Sequence, residues 1–216
     1  MGEGTDLATA VAVITREQRK QDSRQRLLSA AADAFLAQGY FAPSVEDIAA
    51  AAGVSRMTFY RHFAGKAALA ADLFHQNSEA TLPHYLSIAA QPLLDHGTVA
   101  RWIAEIFAAN RDAARLLAVF MQATAEETAF TDRAQGFLAR LIEGLGQTIP
   151  AFALDPDSDR DRTRWLEAWL LLFEILDQSQ YAARGLGVAS DPRVIVILAD
   201  RFLRFVQSAE PERTTP

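Results

Sequence analysis

The stretch from Ser44 to Lys66, SVEDIAAAAGVSRMTFYRHFAGK, constrains this chain more than any other. Ser44 can accept the free N–H groups that open a helix, and Asp47, three residues on, can close a capping box. Val45, Ile48, Ala49 and Ala52 recur at i, i+3, i+4 and i+7, on one apolar face of a short helix. Gly53 ends that helix, because glycine takes the positive φ of a tight post-helical turn without steric cost. Ser55 caps a second helix, with Val54 and Phe59 at the N′ and N4 positions of a hydrophobic staple. Phe59 and Phe63 are expected to point inward together, which leaves Arg56, Met57, Thr58, Tyr60, Arg61 and His62 outside. Two short helices joined by a glycine turn make a helix-turn-helix, whose second helix enters the major groove of DNA.

The segment GVSRMTFYRHFAGKAAL, Gly53 to Leu69, resembles the recognition-helix signature of TetR-type transcriptional regulators. That signature ends in Tyr-x-x-Phe, followed by a Lys that opens the next helix. The helix before it is similar too, through Phe35, Gly39, Tyr40, Ser44, Val45, Ile48, Ala49 and Gly53. The resemblance runs over residues 23 to 70. It departs at Met57, where the family more often has a small residue, and at Ala67, where many members carry Glu. What it implies is a set of roles at matching positions. Ser44 and Thr58 donate hydroxyl hydrogen bonds to phosphate, Tyr60 and His62 clamp backbone, and Lys66 adds a cation, all of which fix register without reading sequence. Arg56, Met57 and Arg61 are placed to reach base edges, an Arg pairing with guanine and a Met touching a thymine methyl. The plainer alternative is a helical hairpin whose exposed Tyr and Arg only solvate the surface.

A formal net charge of −6 argues against a nucleic-acid partner until its distribution is read. From Arg16 to Lys66 there are eight Lys or Arg against five Asp or Glu, a local +3, which leaves −9 on the rest. A basic reader joined to an acidic body fits a DNA-binding protein with a separate sensory half. Half of the 216 residues are hydrophobic, so the chain can bury a core. With no cysteine, disulfide scaffolds, thiol catalysis and cysteine–zinc sites are excluded. No basic stretch followed by an apolar one opens the sequence, and a cytoplasmic protein is expected. The longest apolar run, Trp165 to Leu176, contains Glu167 and Glu174 and is too short to span a bilayer, so no membrane partner is expected.

The expected architecture is all-α, with about nine helices in two domains: a helix-turn-helix DNA-binding domain over 16–66 and a ligand-binding and dimerisation domain over 67–216. Residues 1–15 read as a loose tail. Arg16, Arg19, Lys20, Arg24 and Arg26 then lead into helix 1, either as a solvated helix start or as a basic arm for a minor groove. Helix 1 is expected over about Ser23 to Gln38, ended by Gly39. Helix 4 should run from Gly65 or Lys66 towards Leu82, where Pro83 must kink or end it. Body helices are expected over about Thr98–Ala109, Arg111–Ala125, Thr131–Thr148 and Asp161–Arg184. Val194 to Leu198 is β-branched enough for a strand, but Asp191-Pro192 reads as a helix start, and Leu198, Phe202 and Phe205 keep helical spacing. Trp165–Leu176 is apolar nearly all round and needs cover on more than one side. TetR-type proteins pair through their last two helices, which implies a homodimer here; a central core helix in a monomer is the alternative.

No catalytic constellation is present. His62, His75, His84 and His96 lack metal-ligand pairing, and neither a Gly-rich phosphate loop nor Gly-x-Ser-x-Gly occurs, so no enzyme, metal or cofactor is expected. Helical bundles hold ligands between their helices. Candidates are Trp102, Phe107, Phe120, Met121, Gln122, Trp169, Phe173 and Tyr181, with Asn110, Glu174 and Asp177 as polar options. Gln122 and Glu174 stand inside apolar stretches, where burial without a partner is costly. Each aromatic taken singly can equally be core packing. The resemblance thus leads to a transcriptional regulator, a repressor released from a pseudo-palindromic double-stranded operator by a small hydrophobic ligand. A DNA-binding structural or cell-division factor of the same fold, with no inducer, is the alternative.

Overall fold

The computed structural model describes residues 3–124 and 128–208, and among them every regular element is helical. In order these are α1 (Glu3–Gln38), α2 (Val45–Ala51), α3 (Arg56–His62), α4 (Lys66–Tyr85), α5 (His96–Asp112), α6 (Ala114–Thr124), α7 (Thr128–Gly146), α8 (Arg162–Ala183) and α9 (Arg193–Gln207). Short 3₁₀ turns at Leu86–Ala90, Pro150–Phe152 and Gly187–Ser190 separate some of them.

Two expectations are corrected at the N-terminus. The loose tail is helix: α1 starts at Glu3, not near Ser23. No Gly or Pro occurs between Thr5 and Gln38, so nothing stops the helix from extending. The run from Arg16 to Arg26 is therefore helical, with Arg16, Arg19, Lys20 and Arg26 exposed, and does not form an extended arm.

The chain divides into two compact units, Met1–His75 with Ala118–Phe130, and Gln76–Leu117 with Thr131–Pro216. The division falls inside α4, beyond Lys66, and again inside α6 and inside α7.

In the first unit α1 buries Leu27, Leu28, Ala31 and Phe35 together with Ile48, Ala49, Phe59, Phe63 and Leu69. Removing a Leu or Phe side chain of this kind from water contributes about 1.5–3 kcal/mol. Arg24 pairs with Asp72 and lies 5.3 Å over the Phe63 ring. Phe74 and Phe120 meet edge to face at 5.1 Å.

In the second unit α5, α8 and α9 enclose Trp102, Ile103, Ile106, Phe107, Leu172, Ile175, Leu198 and Phe202. A buried polar chain crosses this apolar core. The Tyr85 hydroxyl donates to Asn110 Oδ1 at 3.3 Å, Asn110 Nδ2 donates to Ser179 Oγ, and that hydroxyl donates to Leu176 O at 2.6 Å. Each member is satisfied, which a polar group needs in such a place. Burial raises the Tyr85 phenol, with the Asn110 bond opposing.

Pro83 does not end α4 at once. The helix runs on to Tyr85 and then tightens into the 3₁₀ turn. Proline cannot donate the helical bond back to Glu79, so regular α geometry fails within the following turn. α7 ends at Gly146, where a Cβ would lie 2.5 Å from the carbonyl oxygen of Phe152, so only glycine lets the 3₁₀ turn lie so close. At α9, Asp191 Oδ1 accepts the Arg193 N–H at 3.0 Å, and the Arg193 guanidinium beside it lowers the Asp191 carboxyl to about 2. Val194 to Leu198 is helical, as the Asp-Pro start implied.

Candidate nucleic-acid interface

The expected local rules build the site. Ser44 Oγ accepts the Asp47 N–H at 3.1 Å, and Asp47 Oδ2 accepts the Ser44 N–H at 3.0 Å, a reciprocal capping box. The Ser44 bonds hold the Asp47 carboxyl below its usual range. Gly53 takes φ +64°, and Ser55 Oγ accepts the Thr58 N–H at 3.1 Å to start α3. Phe59 and Phe63 turn inward with ring centroids 5.8 Å apart. These contacts leave α3 standing on its apolar side with its other side open.

On that open side Met57 is 79% exposed, and Tyr60, Arg56 and Arg61 are exposed with it. Arg56 is held at its base: Nη1 lies 2.9 Å from Glu46 Oε1, and its guanidinium sits 5.5 Å over the Tyr60 ring. Those contacts, Tyr60 first and Glu46 second, raise the Arg56 pKa. Glu46 is thus an orienting residue, on α2 and ten residues away in sequence, and nothing local marks it.

Four of the expected phosphate ligands carry structural duties as well. Lys66 Nζ donates to the carbonyls of Phe41 at 3.1 Å and Pro43 at 3.2 Å, and lies 4.6 Å over the Tyr40 ring. It clasps the turn between α1 and α2. His62 is half-buried, with Nε2 2.8 Å from Ser23 Oγ, whose own proton goes to Lys20 O at 2.9 Å. Nε2 is therefore the donor in that pair. Burial lowers the His62 pKa, and Arg61, Arg24 and Lys20 lower it further. Thr58 is half-buried against Ser55, and Ser44 is committed to its capping box.

The residues singled out for a ligand divide between the two units. Phe120 and Gln122 belong to the first, where Phe120 packs on Phe74 and Gln122 Oε1 accepts the Tyr40 N–H at 3.0 Å. Trp102 and Phe107 are buried in the second; Trp102 lies 5.2 Å from Phe202 and donates Nε1 to Tyr85 O at 3.2 Å. Trp169 and Phe173 stack at 5.1 Å, with Phe173 45% exposed, and Glu174 pairs with Arg201 on the surface. None of these seven lines the cavity of about 610 Å³ found between α7, the Pro150–Phe152 turn and α8. Trp102, Phe107 and Phe120 are buried, and Gln122 and Glu174 each have a partner.

Residues 27–73 match the family model described as bacterial regulatory proteins, tetR family. No curated protein matches the chain. Solved structures of similar fold include a protein described as a TetR-family transcriptional regulator of Mesorhizobium loti MAFF303099, with a TM-score of 0.60 and 18% identity over 88% of this chain and 98% of that one. Salmonella enterica GusR follows at 0.58 and 20%, covering 86% and 95%. Thermus thermophilus FadR, a TetR-family repressor in complex with lauroyl-CoA, stands at 0.57 and 21%, covering 89% and 97%. At these identities the likeness is one of fold.

Proposed function

Taking as premise that the chain is a TetR-family transcriptional regulator, its helix-turn-helix matched over residues 27–73, we propose that it is a homodimeric repressor released from a pseudo-palindromic operator by a small ligand. The observation that carries the DNA half is the outward row of α3, Arg56, Met57, Tyr60 and Arg61, on a helix anchored by Phe59 and Phe63. An Arg steadied by Glu46 and Tyr60 is pre-organised for a guanine edge, and a Met exposed to 79% meets a thymine methyl without first leaving a core. Tyr60, His62, Thr58, Ser44 and Lys66 supply the phosphate contacts that set register.

Pairing is supported by the outer face of the last two helices, where Leu166, Leu170, Phe173, Val196 and Ile197 are each more than 40% exposed. A second copy is the cover that an isologous dimer gives such a face. The FadR complex with lauroyl-CoA supports response to a ligand, and α4, α6 and α7 are helices whose residues belong to both units and so carry that response in this reading. Moving a population from 1:99 to 99:1 needs about 5.5 kcal/mol of differential binding. Selection from a random-duplex library tests the reading: an enriched dyad supports it, and enrichment of no symmetric site overturns it.

A further inference from the structure

Before it reaches the core, α1 sorts its polar residues by side. At 3.6 residues per turn, Arg16, Arg19, Lys20, Ser23 and Arg26 fall within about 120° of one another around the helix axis. Gln18, Gln21 and Gln25 take the opposite side, and Glu17 and Asp22 stand on the flanks between. The four cations are exposed, whereas Ser23 in their midst is buried.

Two contacts fix where the basic side faces. Ser23 Oγ lies 2.8 Å from His62 Nε2, at the C-terminal end of α3. A Cβ added at Gly53 would lie 3.6 Å from Arg26 Nη1, so that guanidinium stands over the turn between α2 and α3. The basic side of α1 is therefore the side that meets the helix-turn-helix. Lys20 and Arg19 continue it one turn before Ser23, and Arg16 two turns before. Positive charge from Lys20, Arg24 and Arg61 already bears on the His62 ring. Of these, Arg24 is paired with Asp72. Lys20 lies 3.5 Å from Glu17, both exposed, and water keeps such a pair weak enough for a phosphate to displace.

The length of the row suits a duplex strand. Lys20 and Arg16 stand about 6 Å apart along the axis at about 1.5 Å per residue. One strand carries a phosphate about every 3.4 Å, so the row spans about two. A helix with its side chains is about 10–12 Å across, too broad for a minor groove of about 6 Å, so the row meets backbone and not base edges.

We propose that Arg16, Arg19 and Lys20 bind the phosphate backbone of the duplex outside the half-site that α3 reads, lengthening the footprint without adding to the sequence it specifies. The proposal rests on the reading of α3 as the base-reading helix, with His62 on a phosphate.

Its test uses the full chain and a dyad selected from a random-duplex library, prepared in two lengths. One duplex ends at the last selected base pair, and the other carries about one further turn (~10 base pairs) on each side. In fluorescence anisotropy the wild type should bind the longer duplex at least about tenfold more tightly, with a salt dependence steeper by about two phosphate contacts per chain. Arg16→Gln/Arg19→Gln/Lys20→Gln should bring the two duplexes to within about twofold of each other. Glutamine is a good helix former, so circular dichroism should show α1 intact. Gln18→Glu/Gln21→Glu/Gln25→Glu lowers the net charge by the same amount on the opposite side, and should keep the preference for length. Flanks rich in A·T and in G·C should serve equally. Equal wild-type affinity for both lengths, a preference that survives in the first triple variant, an equal loss in the second, or dependence on the composition of the flanks would overturn the proposal. Selection that returns no dyad removes the reading of α3, whereas a dyad bound equally well at both lengths removes the proposal alone.

Discussion

The main-chain N–H of Tyr40, a residue with no exposed surface, donates to Gln122 Oε1 at 3.0 Å, across a sequence separation of 82. The turn that leads from α1 into the helix-turn-helix is therefore fastened by a side chain of α6. Gln122→Leu leaves this buried donor without an acceptor, at a cost of about 1–3 kcal/mol. Urea unfolding should show a lower midpoint at unchanged slope, and Gln122→Glu, which keeps an acceptor, should stay near the wild type. A Leu variant as stable as the wild type would contradict the assignment.

Lys66→Met keeps the aliphatic stem but removes both bonds to the Phe41 and Pro43 carbonyls and the cation over Tyr40. It should destabilise the chain by about 1–2 kcal/mol. Binding to duplexes of any sequence should weaken alike, with the salt dependence reduced by about one phosphate contact. A loss confined to particular base pairs would show that Lys66 reads sequence.

Arg56→Ala should relax base preference at one position of each half-site by about 1–3 kcal/mol, and Arg61→Ala at another. Glu46→Gln frees Arg56 without removing it, so it should blur the same position by less. Comparing preferences across a library of single-base operator variants checks all three.

His62 gives a sign to the pH dependence. Its pKa is lowered in the folded chain, chiefly by burial and then by Arg61, Arg24 and Lys20. Below the ordinary histidine value of about 6.5 the unfolded chain binds the extra proton first, so stability is full above that value and falls as pH drops towards the lowered one. His62→Gln should flatten that part of the profile, read as unfolding midpoint against pH between about 7 and 5. An unchanged slope would show that some other group titrates there.

Light scattering after size exclusion should give twice the chain mass of 23.7 kDa for the wild type. Leu170→Lys with Ile197→Lys, both at positions at least half exposed in the single chain, should give 23.7 kDa with helicity unchanged. A double variant that remains a dimer would place the interface on another face.

What could be read in advance was what depends on near neighbours. The Ser44–Asp47 box, the positive φ of Gly53, the Ser55 cap and the inward turn of Phe59 are each set by residues within four positions. The start of α1 is not legible because a stretch such as Leu7 to Ile14, apolar without helical period, gives no face to detect, while helix formation there needs only the absence of breakers. Lys66, His62 and Gln122 find partners 23, 39 and 82 residues away, and no spacing rule reaches that far. The cavity is built from α7, the turn at Pro150 and α8, which only folding brings together.

The chain of bonds from Tyr85 through Asn110 and Ser179 to the Leu176 carbonyl fixes more than energy. Two greasy helices alone can slide by a turn and repack at little cost, but sliding α5 along α8 would strand Asn110 opposite hydrocarbon. The pair is therefore keyed, like a shaft on its spline, and can tilt or translate only as one piece. A molecule that wedges beside α8 then has nowhere to dissipate its push within the pair, and its strain must emerge where α5 and α8 meet the rest of the chain.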